Sequence, residues 1–97
     1  TKAALKKGGF TLSQMDVIES NEAFAAQAIA VARGLEFDLS KVNPNGGAIA
    51  LGHPVGCSGA FIATKAIYEM NRIGGKYCLV TMCIGGGQGI AVIFERV

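Results

Sequence analysis

The sequence lacks a long uninterrupted run of hydrophobic residues. No such run approaches the roughly 20 residues that a bilayer-spanning helix needs, and no charged segment precedes a short apolar stretch at the start. We therefore expect no membrane association and a cytoplasmic location. Because the chain begins at Thr1 rather than Met, in a segment of helical character, we also expect a preceding N-terminal part, in which a targeting segment could lie.

Clustered basic residues and a regular set of cysteines are also missing. The 9 Lys and Arg residues nearly balance the 7 Asp and Glu residues, and apart from short runs such as Lys6-Lys7 they are scattered. This distribution does not resemble the basic patch of a nucleic-acid-binding protein, so we expect no nucleic-acid partner. The 3 cysteines, at irregular spacing, form no disulfide framework and fit a reducing compartment.

Apolar residues, by contrast, are in excess. Hydrophobic residues make up 51% of the chain and there are 14 glycines, whereas a typical soluble domain holds roughly 45–50% apolar residues with glycine included. A chain of this length forms one domain at most and buries only about 60–70% of its unfolded surface. We therefore expect either a piece of a larger protein or a chain that buries one face against a partner.

The first half of the chain predicts two helices and a strand. Residues 3–7 before Gly8-Gly9 are typical of a helix end with a glycine stop, and residues 15–19 form a strand candidate. From 23 to 32 every residue except Gln27 is apolar, which predicts a helix buried between layers. Ser20 or Asn21 could cap this helix by accepting a hydrogen bond from a first-turn N–H.

The second half predicts a shaped loop, a helix and a hairpin. Residues 46–59 hold five glycines and favour a loop, after a stub of strand at Val42-Asn43. A helix follows, with Ser58 as its N-cap, and hairpin strands at 77–82 and 90–94 are joined by a five-residue loop. The second of these strands is nearly all apolar, which predicts burial on both faces. The predicted core face of the helix comprises Ala63, Ala66, Ile67, Met70 and Ile73. The whole predicts a layered α/β fold of order β-α-(β)-α-β-β.

Two short groups of residues carry the candidate chemistry, Gly52-His53-Pro54 and Cys83-Ile84-Gly85. Glycine allows close approach of the backbone to a ligand, so reactive side chains beside it are well placed to line a cleft. The residues alone leave other interpretations open. His53 could be a hydrogen-bonded structural histidine, Cys83 a small buried hydrophobe, and Asn21 no more than a helix cap.

Two further kinds of site are disfavoured. The glycine-rich stretch 85–89 runs into a strand, whereas a dinucleotide-binding loop runs from a strand into a helix. A metal site made by His53, Cys78 and Cys83 is disfavoured by the four-residue gap between the cysteines and by the want of a fourth obvious ligand. We therefore expect no nucleotide site at this loop and no metal.

Three segments together resemble the C-terminal signatures of the thiolase family. They are Asn21-Glu22-Ala23-Phe24, residues 43–59 (NPNGGAIALGHPVGCSG) and residues 83–89 (CIGGGQG), in the order and spacing of that family. The likeness covers essentially the whole chain. It implies a thiolase-like layered fold in which residues 1–97 are a C-terminal fragment, most of a half with a mixed sheet and covering helices. The N-terminal half, with the nucleophilic cysteine of the family, would lie outside these residues.

The resemblance also implies roles for individual residues. His53 would accept the proton of the nucleophile, and histidine suits this because it gains and loses a proton near neutral pH. Cys83 would be the general acid/base that exchanges a proton with the acyl α-carbon or the leaving thiol. Asn21 would hold a water that forms an oxyanion hole with His53, and the Gly85 N–H would serve a second oxyanion hole. The supporting residues would be Glu22, Gly52, Pro54 and Gly86.

Glu22 and the other two cysteines have no chemical role in this interpretation. Glu22 stands beside an apolar helix, where an unpaired carboxylate would be costly, so we expect it to be paired or hydrogen-bonded. Cys78 lies within a predicted strand and is expected in the core. Cys57 stands where the family commonly has a small residue such as alanine, and we interpret it as a packing substitution.

The implied reaction is acyl transfer between acyl-CoA thioesters. It would be the Claisen condensation of two acetyl-CoA molecules to acetoacetyl-CoA, or the reverse thiolysis, with coenzyme A as carrier and no other cofactor. The strings NEAFAAQ and CIGGGQG look more like the acetoacetyl-CoA type, and Cys83 stands where related ketoacyl synthases have a histidine. The family usually forms dimers or tetramers, so a homo-oligomer is expected.

Two alternatives remain open. One is a broad-range degradative 3-ketoacyl-CoA thiolase of fatty acid metabolism. The other is that these residues alone are a structural and assembly module, which lacks the nucleophile and is expected to be inactive when isolated.

Overall fold

The computed structural model describes all 97 residues. The chain folds into four α-helices, three strands and two short 3-10 turns. In chain order the helices and strands are α1 (Lys2–Gly8), β1 (Val17–Ser20), α2 (Ala25–Gly34), α3 (Ala48–Leu51), α4 (Ser58–Arg72), β2 (Tyr77–Gly85) and β3 (Gln88–Glu95). The predicted glycine stop of the first helix is confirmed, because Gly9 follows α1 with a left-handed φ of 72°.

The three strands form one mixed sheet in the order β1-β2-β3. β1 and β2 are parallel, with Val17 opposite Cys78, and β2 and β3 are antiparallel. A single bridge between Ile18 and Val42 adds the stub of a further strand beside β1. The layered α/β fold with a mixed sheet, expected from the sequence, is therefore confirmed. The segment from Met15 to Glu19 was expected as the first strand, and the observed strand lies slightly later, at Val17–Ser20.

Buried hydrophobic side chains form one cluster on each face of the sheet, because successive residues of a strand point to opposite faces. The α4 cluster consists of Val17, Ile62, Ala66, Met70, Cys78 and Val80. The opposite cluster consists of Met15, Ile18, Phe37 and Leu79, with residues of α1 and of the second half of α2 packed around it. The prediction that Cys78 is a core residue is confirmed, since it is fully buried.

The prediction for α2 was wrong in two respects. None of its residues is buried, and Ile29 is 52% exposed, so the helix is not enclosed between layers. Six of its ten residues are exposed, so much of its apolar surface is not covered by this chain. The helix begins at Ala25 after Phe24 and has no side-chain cap, because Ser20 belongs to β1 and Asn21 directs its carboxamide elsewhere.

The helix α4 was predicted correctly, but its buried residues and its N-cap were only partly right. Ala66 and Met70 are in the core as expected, but Ile62 is buried in place of Ile73, which is 46% exposed. The other two expected core residues, at 63 and 67, are only half-buried. Ser58 is the first residue of the helix rather than its cap, and its hydroxyl makes other contacts. The loop 46–59 also contains α3, a single helical turn that the glycine content did not indicate.

The hairpin is tighter than expected. β2 continues to Gly85, which pairs with Gln88, so only Gly86 and Gly87 form the turn. Both have positive φ, 61° and 71°, as a two-residue type I′ turn requires. The five-residue loop was therefore wrong, and so was burial of β3 on both faces, because β3 has no buried residue. β3 is the free edge of the sheet, so an apolar run here does not indicate two covered faces.

Large hydrophobic side chains remain exposed over much of the surface. Phe24, Val55 and Tyr68 are each at least 74% exposed, and further exposed ones lie on α2, α3 and β3. No helix combines the length and the apolar content that crossing a bilayer demands. The excess of apolar residues in the sequence is thus visible as exposed surface rather than as an unusually large core.

Candidate active site

His53 lies in the short connection between α3 and α4, and its backbone is fixed on both sides. Gly52 ends α3 with a φ of 97°, a conformation that side chains disfavour. After it, the Pro54 carbonyl accepts the N–H groups of Cys57 and Ser58 at 2.8 and 2.9 Å, which starts α4. The supporting positions predicted beside the histidine therefore define the path of the chain through it.

Asn21 lies directly after β1 and reaches the histidine. Its backbone N–H donates to the Thr81 carbonyl at 2.9 Å, which extends the β1–β2 ladder by one residue. Its side chain is buried, with 2% of the residue exposed, and Nδ2 lies 3.5 Å from Nε2 of His53. The structure thus brings two of the predicted site residues together across 32 positions of sequence.

The other edge of the imidazole faces the start of α4. Nδ1 of His53 lies 2.6 Å from the Ser58 hydroxyl, which also donates to the Pro54 carbonyl at 3.0 Å. Ser58 is 1% exposed. The histidine ring is therefore held between a strand end and a helix start, with one nitrogen occupied by the scaffold.

The Asn43 side chain clamps the chain on both sides of Asn21. Its Oδ1 accepts the Ser20 N–H and its Nδ2 donates to the Ser20 carbonyl, both at 2.9 Å. The same Nδ2 donates to Glu22 Oε1 at 2.8 Å, so Glu22 is hydrogen-bonded as expected. A Cβ on Gly47 would overlap this carboxylate, so a larger residue there must displace the Glu22 side chain.

Polar contacts also tie the loop before His53 to α4. Lys65 donates to the carbonyl of Gly46 and to Glu19 Oε2, the latter at 3.0 Å, and Glu19 Oε1 is buried without a partner. Burial raises the pKa of Glu19, and the Lys65 ammonium only partly offsets this. Nearby, Asn45 donates to Glu69 at 2.9 Å. These contacts fix the loop against the helix that carries Ser58.

Hydrogen bonds from Arg72 and Asn45 lower the pKa of Glu69 to about 2. Arg72 approaches both oxygens of this carboxylate, at 2.8 and 2.7 Å, in the two-point geometry that guanidinium groups favour. Glu69 is therefore ionised at neutral pH and holds Asn45, which lies in the loop that leads to His53.

Cys83 lies near the end of β2, opposite Gly89, and is half-buried. It lines a cleft with Thr1, Ser20 and Thr81, and makes no hydrogen bond to Asn21 or His53. A bulge between Cys83 and Gly85 interrupts the ladder; bulges of this kind re-aim side chains and are common beside active sites. Gly85 itself has a φ of 92° and is exposed.

The other two cysteines differ sharply from each other. Cys78 is buried in β2, and burial raises the pKa of its thiol to about 11, so it stays a neutral thiol. Cys57 is exposed, so the interpretation of it as a packing substitution was wrong. No group of three potential ligands is close enough to hold a metal ion.

Sequence analysis missed Asn43, Gly47 and the contact of Ser58 with His53. Asn43 and Ser58 both lie in the signature of residues 43–59, but Asn43 was given no role beyond a strand stub and Ser58 none beyond a helix cap. The run NPNGG did mark a special backbone, and Asn43 has a φ of 46°, which asparagine tolerates better than most residues. The spacing of five residues between His53 and Ser58, across a helix start, was the only signal for the second contact.

The comparisons with known proteins agree on one family. A family model described as thiolase, C-terminal domain, matches residues 1–96. Beta-ketothiolase BktB of Cupriavidus necator is 63% identical over 97 residues, which cover 100% of this chain and 25% of that protein. The crystal structure of human mitochondrial 3-ketoacyl-CoA thiolase has a TM-score of 0.96 at 56% identity. The match covers 99% of this chain and 24% of the human chain. A structure of that human enzyme in complex with CoA gives the same values.

A third relative is named for a different activity. The crystal structure of the Bacillus anthracis acetyl-CoA acetyltransferase also has a TM-score of 0.96, at 43% identity, over 99% of this chain and 24% of that one. The chain therefore belongs to the thiolase family. Within it, the chain corresponds to the C-terminal domain and spans about a quarter of the length of the relatives it matches.

Proposed function

We propose that this chain forms the C-terminal part of a thiolase and contributes Asn21, His53, Cys83 and Gly85 to its active site. The single observation that carries the proposal is the contact between buried Asn21 and His53, which belong to two separate thiolase signatures. The buried carboxamide beside one ring nitrogen and the buried hydroxyl beside the other hold the imidazole in one orientation, which a residue that accepts a proton in catalysis requires.

The first half of the proposed reaction transfers an acyl group to a cysteine thiolate from the N-terminal half of the enzyme. His53 accepts the proton of that thiol at Nε2, and the thiolate attacks the thioester carbonyl. The carbonyl oxygen becomes an oxyanion, held by the Gly85 N–H; removing one such donor costs roughly 3–4 kcal/mol in comparable sites. The acyl–sulfur bond to coenzyme A then breaks, and Cys83 gives its proton to the leaving thiolate.

The second half forms or breaks a carbon–carbon bond. In condensation, the Cys83 thiolate removes a proton from the α-carbon of a second acetyl-CoA, and the enolate oxygen is stabilised by His53 and by a water held on Asn21. The enolate carbon attacks the acyl-cysteine carbonyl, and the cysteine leaves as thiolate. Thiolysis is the same sequence in reverse, and the covalent intermediate divides one hard step into two.

The proposed substrates are acyl-CoA thioesters, with coenzyme A as carrier and no further cofactor. The crystal structure of the human relative in complex with CoA supports this class. Acetyl-CoA is the proposed acyl donor, and a broader range of 3-ketoacyl-CoA substrates in fatty acid metabolism is the second candidate. The names of the relatives fit both, because one is an acetyl-CoA acetyltransferase and another a 3-ketoacyl-CoA thiolase.

The proposed partners are the N-terminal half of the enzyme and further copies of it in a dimer or tetramer. The exposed apolar side chains of α2 and β3 support contact with additional protein. The glycine-rich turn at Gly86 and the Glu22 carboxylate are proposed to support the site rather than to react. The cytoplasm is the proposed compartment.

A chimeric thiolase tests the proposal directly. In it, the 97 residues replace the matched quarter of the Cupriavidus necator enzyme, and thiolysis of acetoacetyl-CoA is measured. We expect activity from the chimera and none from the isolated 97 residues. His53→Ala and Cys83→Ala in the chimera should each lower kcat by about 10²–10⁴-fold, the usual share of a general acid or base, with the thermal unfolding midpoint nearly unchanged.

Cys57→Ala is the matched control, because the Cys57 thiol is exposed and forms no hydrogen bond. Its kcat should stay within a factor of two of the parent, as expected for a surface change of this kind. Near-normal turnover of the His53 or Cys83 variant, or acyl transfer by the isolated chain, would show that the roles are misassigned.

A further inference from the structure

We propose that Ser58 is a positioning residue that fixes the proton of the His53 ring on Nδ1 and leaves Nε2 as the base. Ser58 does not touch the substrate in this proposal; it acts through the histidine. The role deepens the proposed function and rests on it for the effect on catalysis.

The first argument is the donor balance at the Ser58 hydroxyl. Oγ lies 2.6 Å from Nδ1 of His53 and 3.0 Å from the Pro54 carbonyl oxygen. A carbonyl only accepts, and a hydroxyl has one proton to give. If that proton points to Pro54, the lone pair of Oγ faces Nδ1, and the short contact requires an N–H on Nδ1. A neutral imidazole carries only one N–H, so Nε2 is then unprotonated.

The second argument comes from the opposite edge of the ring. Nε2 lies 3.5 Å from Nδ2 of Asn21, which is a donor. Only an unprotonated Nε2 can accept from it. The carboxamide of Asn21 and the carbonyl of Pro54 lie on different elements of the fold, yet both favour the same tautomer of His53. In this tautomer Nε2 holds the lone pair that a general base needs.

The alternative is the Nε2–H tautomer of His53, which makes different hydrogen bonds and can therefore be distinguished by experiment. The Ser58 hydroxyl would donate to Nδ1, the ring proton would sit on Nε2, and Asn21 would have to turn its Oδ1 towards the ring. The Pro54 carbonyl would keep its two backbone hydrogen bonds. A histidine in this state could donate to a thioester oxygen but could not take the proton of a nucleophile at Nε2.

Burial makes Ser58 suited to hold the ring throughout the reaction. It is 1% exposed and is the first residue of a 15-residue helix, so water does not compete for Oγ and the backbone is fixed. When Nε2 takes a proton, both ring nitrogens become donors, and Oγ can still accept from Nδ1. The same contact therefore orients the imidazole before and after proton transfer.

Solid-state nitrogen NMR of the complete enzyme, labelled with ¹⁵N-histidine, tests the tautomer independently of activity. The His53 signals are identified by their absence in His53→Gln. At a pH where the ring is neutral, we expect the protonated-nitrogen signal from Nδ1 and the unprotonated signal from Nε2. Ser58→Ala should shift the population towards Nε2–H. A proton on Nε2 in the unaltered enzyme, or an unchanged tautomer in Ser58→Ala, would overturn the proposal.

Kinetics supply the second arm. Ser58→Ala should lower kcat by about 10–100-fold, the range for losing a group that orients a reacting one, and leave KM within about a factor of two. Ser58→Thr keeps the hydroxyl and should restore kcat to within about fivefold. Thr64→Ala, which removes an exposed hydroxyl from the same helix, is the control and should change nothing.

The two arms separate this proposal from the proposed function. An Nδ1–H tautomer that depends on Ser58, in an enzyme without acyl transfer, would support the positioning and reject the function. Loss of kcat in Ser58→Ala without restoration by Ser58→Thr would reject the positioning role. If neither variant folds, the tautomer of the unaltered enzyme still decides.

Discussion

The two longer helices of this protein show that an apolar sequence does not by itself bury a helix. α2 is almost entirely apolar and has no buried residue, whereas α4 carries charged residues such as Lys65 and Glu69 and buries five positions. α4 lies against β1 and β2, so its inward stripe contacts the sheet along its length. α2 reaches the core only through its second half. Whether a helix is buried therefore depends on which element of the fold packs against it, rather than on its own composition.

The two sides of the molecule are also held by different forces. On the α4 side, buried hydrophobic side chains pack between the helix and the sheet, and Lys65 of α4 forms an ion pair with Glu19 of β1. On the α2 side, the chain around Asn21 is held by the Asn43 carboxamide, which makes three hydrogen bonds. Hydrophobic packing therefore holds α4 on the sheet, and hydrogen bonds hold the segment that carries Asn21.

A matched pair of isoleucines should show the largest difference between the helices. Ile62 on α4 is 4% exposed and Ile29 on α2 is 52% exposed. Ile62→Ala should lower the free energy of unfolding of the chain by about 2–5 kcal/mol, because it leaves a cavity in the core. Ile29→Ala should change it by no more than about 0.5 kcal/mol. Urea unfolding followed by circular dichroism measures both.

The same pair in the complete enzyme sharpens the comparison. If the additional protein covers α2, as we propose, the cost of Ile29→Ala should rise towards that of Ile62→Ala. Equal costs in the 97-residue chain itself would contradict the assignment of the two helices.

A pair of glycines in the loop before α4 should show a smaller effect. Gly47→Ala places a methyl group on the Glu22 carboxylate and should break its hydrogen bond to Asn43, at a cost of about 1–3 kcal/mol. Gly56→Ala meets nothing within 4 Å and should stay within about 0.5 kcal/mol of the parent. Thermal unfolding and kcat are the measurements. Equal behaviour of the two variants would mean that the Glu22 contact does not hold the loop.

The smallest expected effect is a change in the acid dependence of stability. The Glu69 carboxyl has a pKa lowered to about 2 from an ordinary 4.5, so its contribution to stability is present above pH 4.5 and is lost as the pH falls towards 2. Glu19 has a raised pKa, so its effect has the opposite sign and lies above pH 4.5. The pKa values of Asp16 and Asp38 are also lowered, by hydrogen bonds from the backbone N–H of Tyr77 and from Ser40, so only a comparison with a Glu69 variant isolates the contribution of Glu69 below pH 4.5.

Glu69→Gln should flatten the fall in the free energy of unfolding between pH 4.5 and 2, and Arg72→Ala should reduce it, because Arg72 is the largest cause of the lowered pKa. Urea titrations at a series of pH values provide the test. An unchanged slope in Glu69→Gln would show that the carboxylate contributes nothing to acid stability.

The candidate site was predictable as a set of residues but not as an arrangement. His53, Cys83 and Asn21 stand out in the sequence because a glycine lies within two positions of each of the first two and a helix signal follows the third. Their neighbours did not stand out. Ser58 and Asn43 are polar residues with ordinary local functions, capping and turn formation, and their contacts join positions 5 and 23 residues apart through a fold that no local pattern encodes.

Local patterns predicted the family, the chemical groups and every helix and strand except α3, because signatures, hydrophobic periods and glycine stops act over a few neighbouring residues. The three-dimensional contacts could not be predicted in this way: α2 has no buried residue in this chain, Gly86 and Gly87 alone form the hairpin turn, and His53 lies between Asn21 and Ser58. Burial and hydrogen-bond partners depend on tertiary contacts between distant segments, and the same local sequence is compatible with several different sets of such contacts.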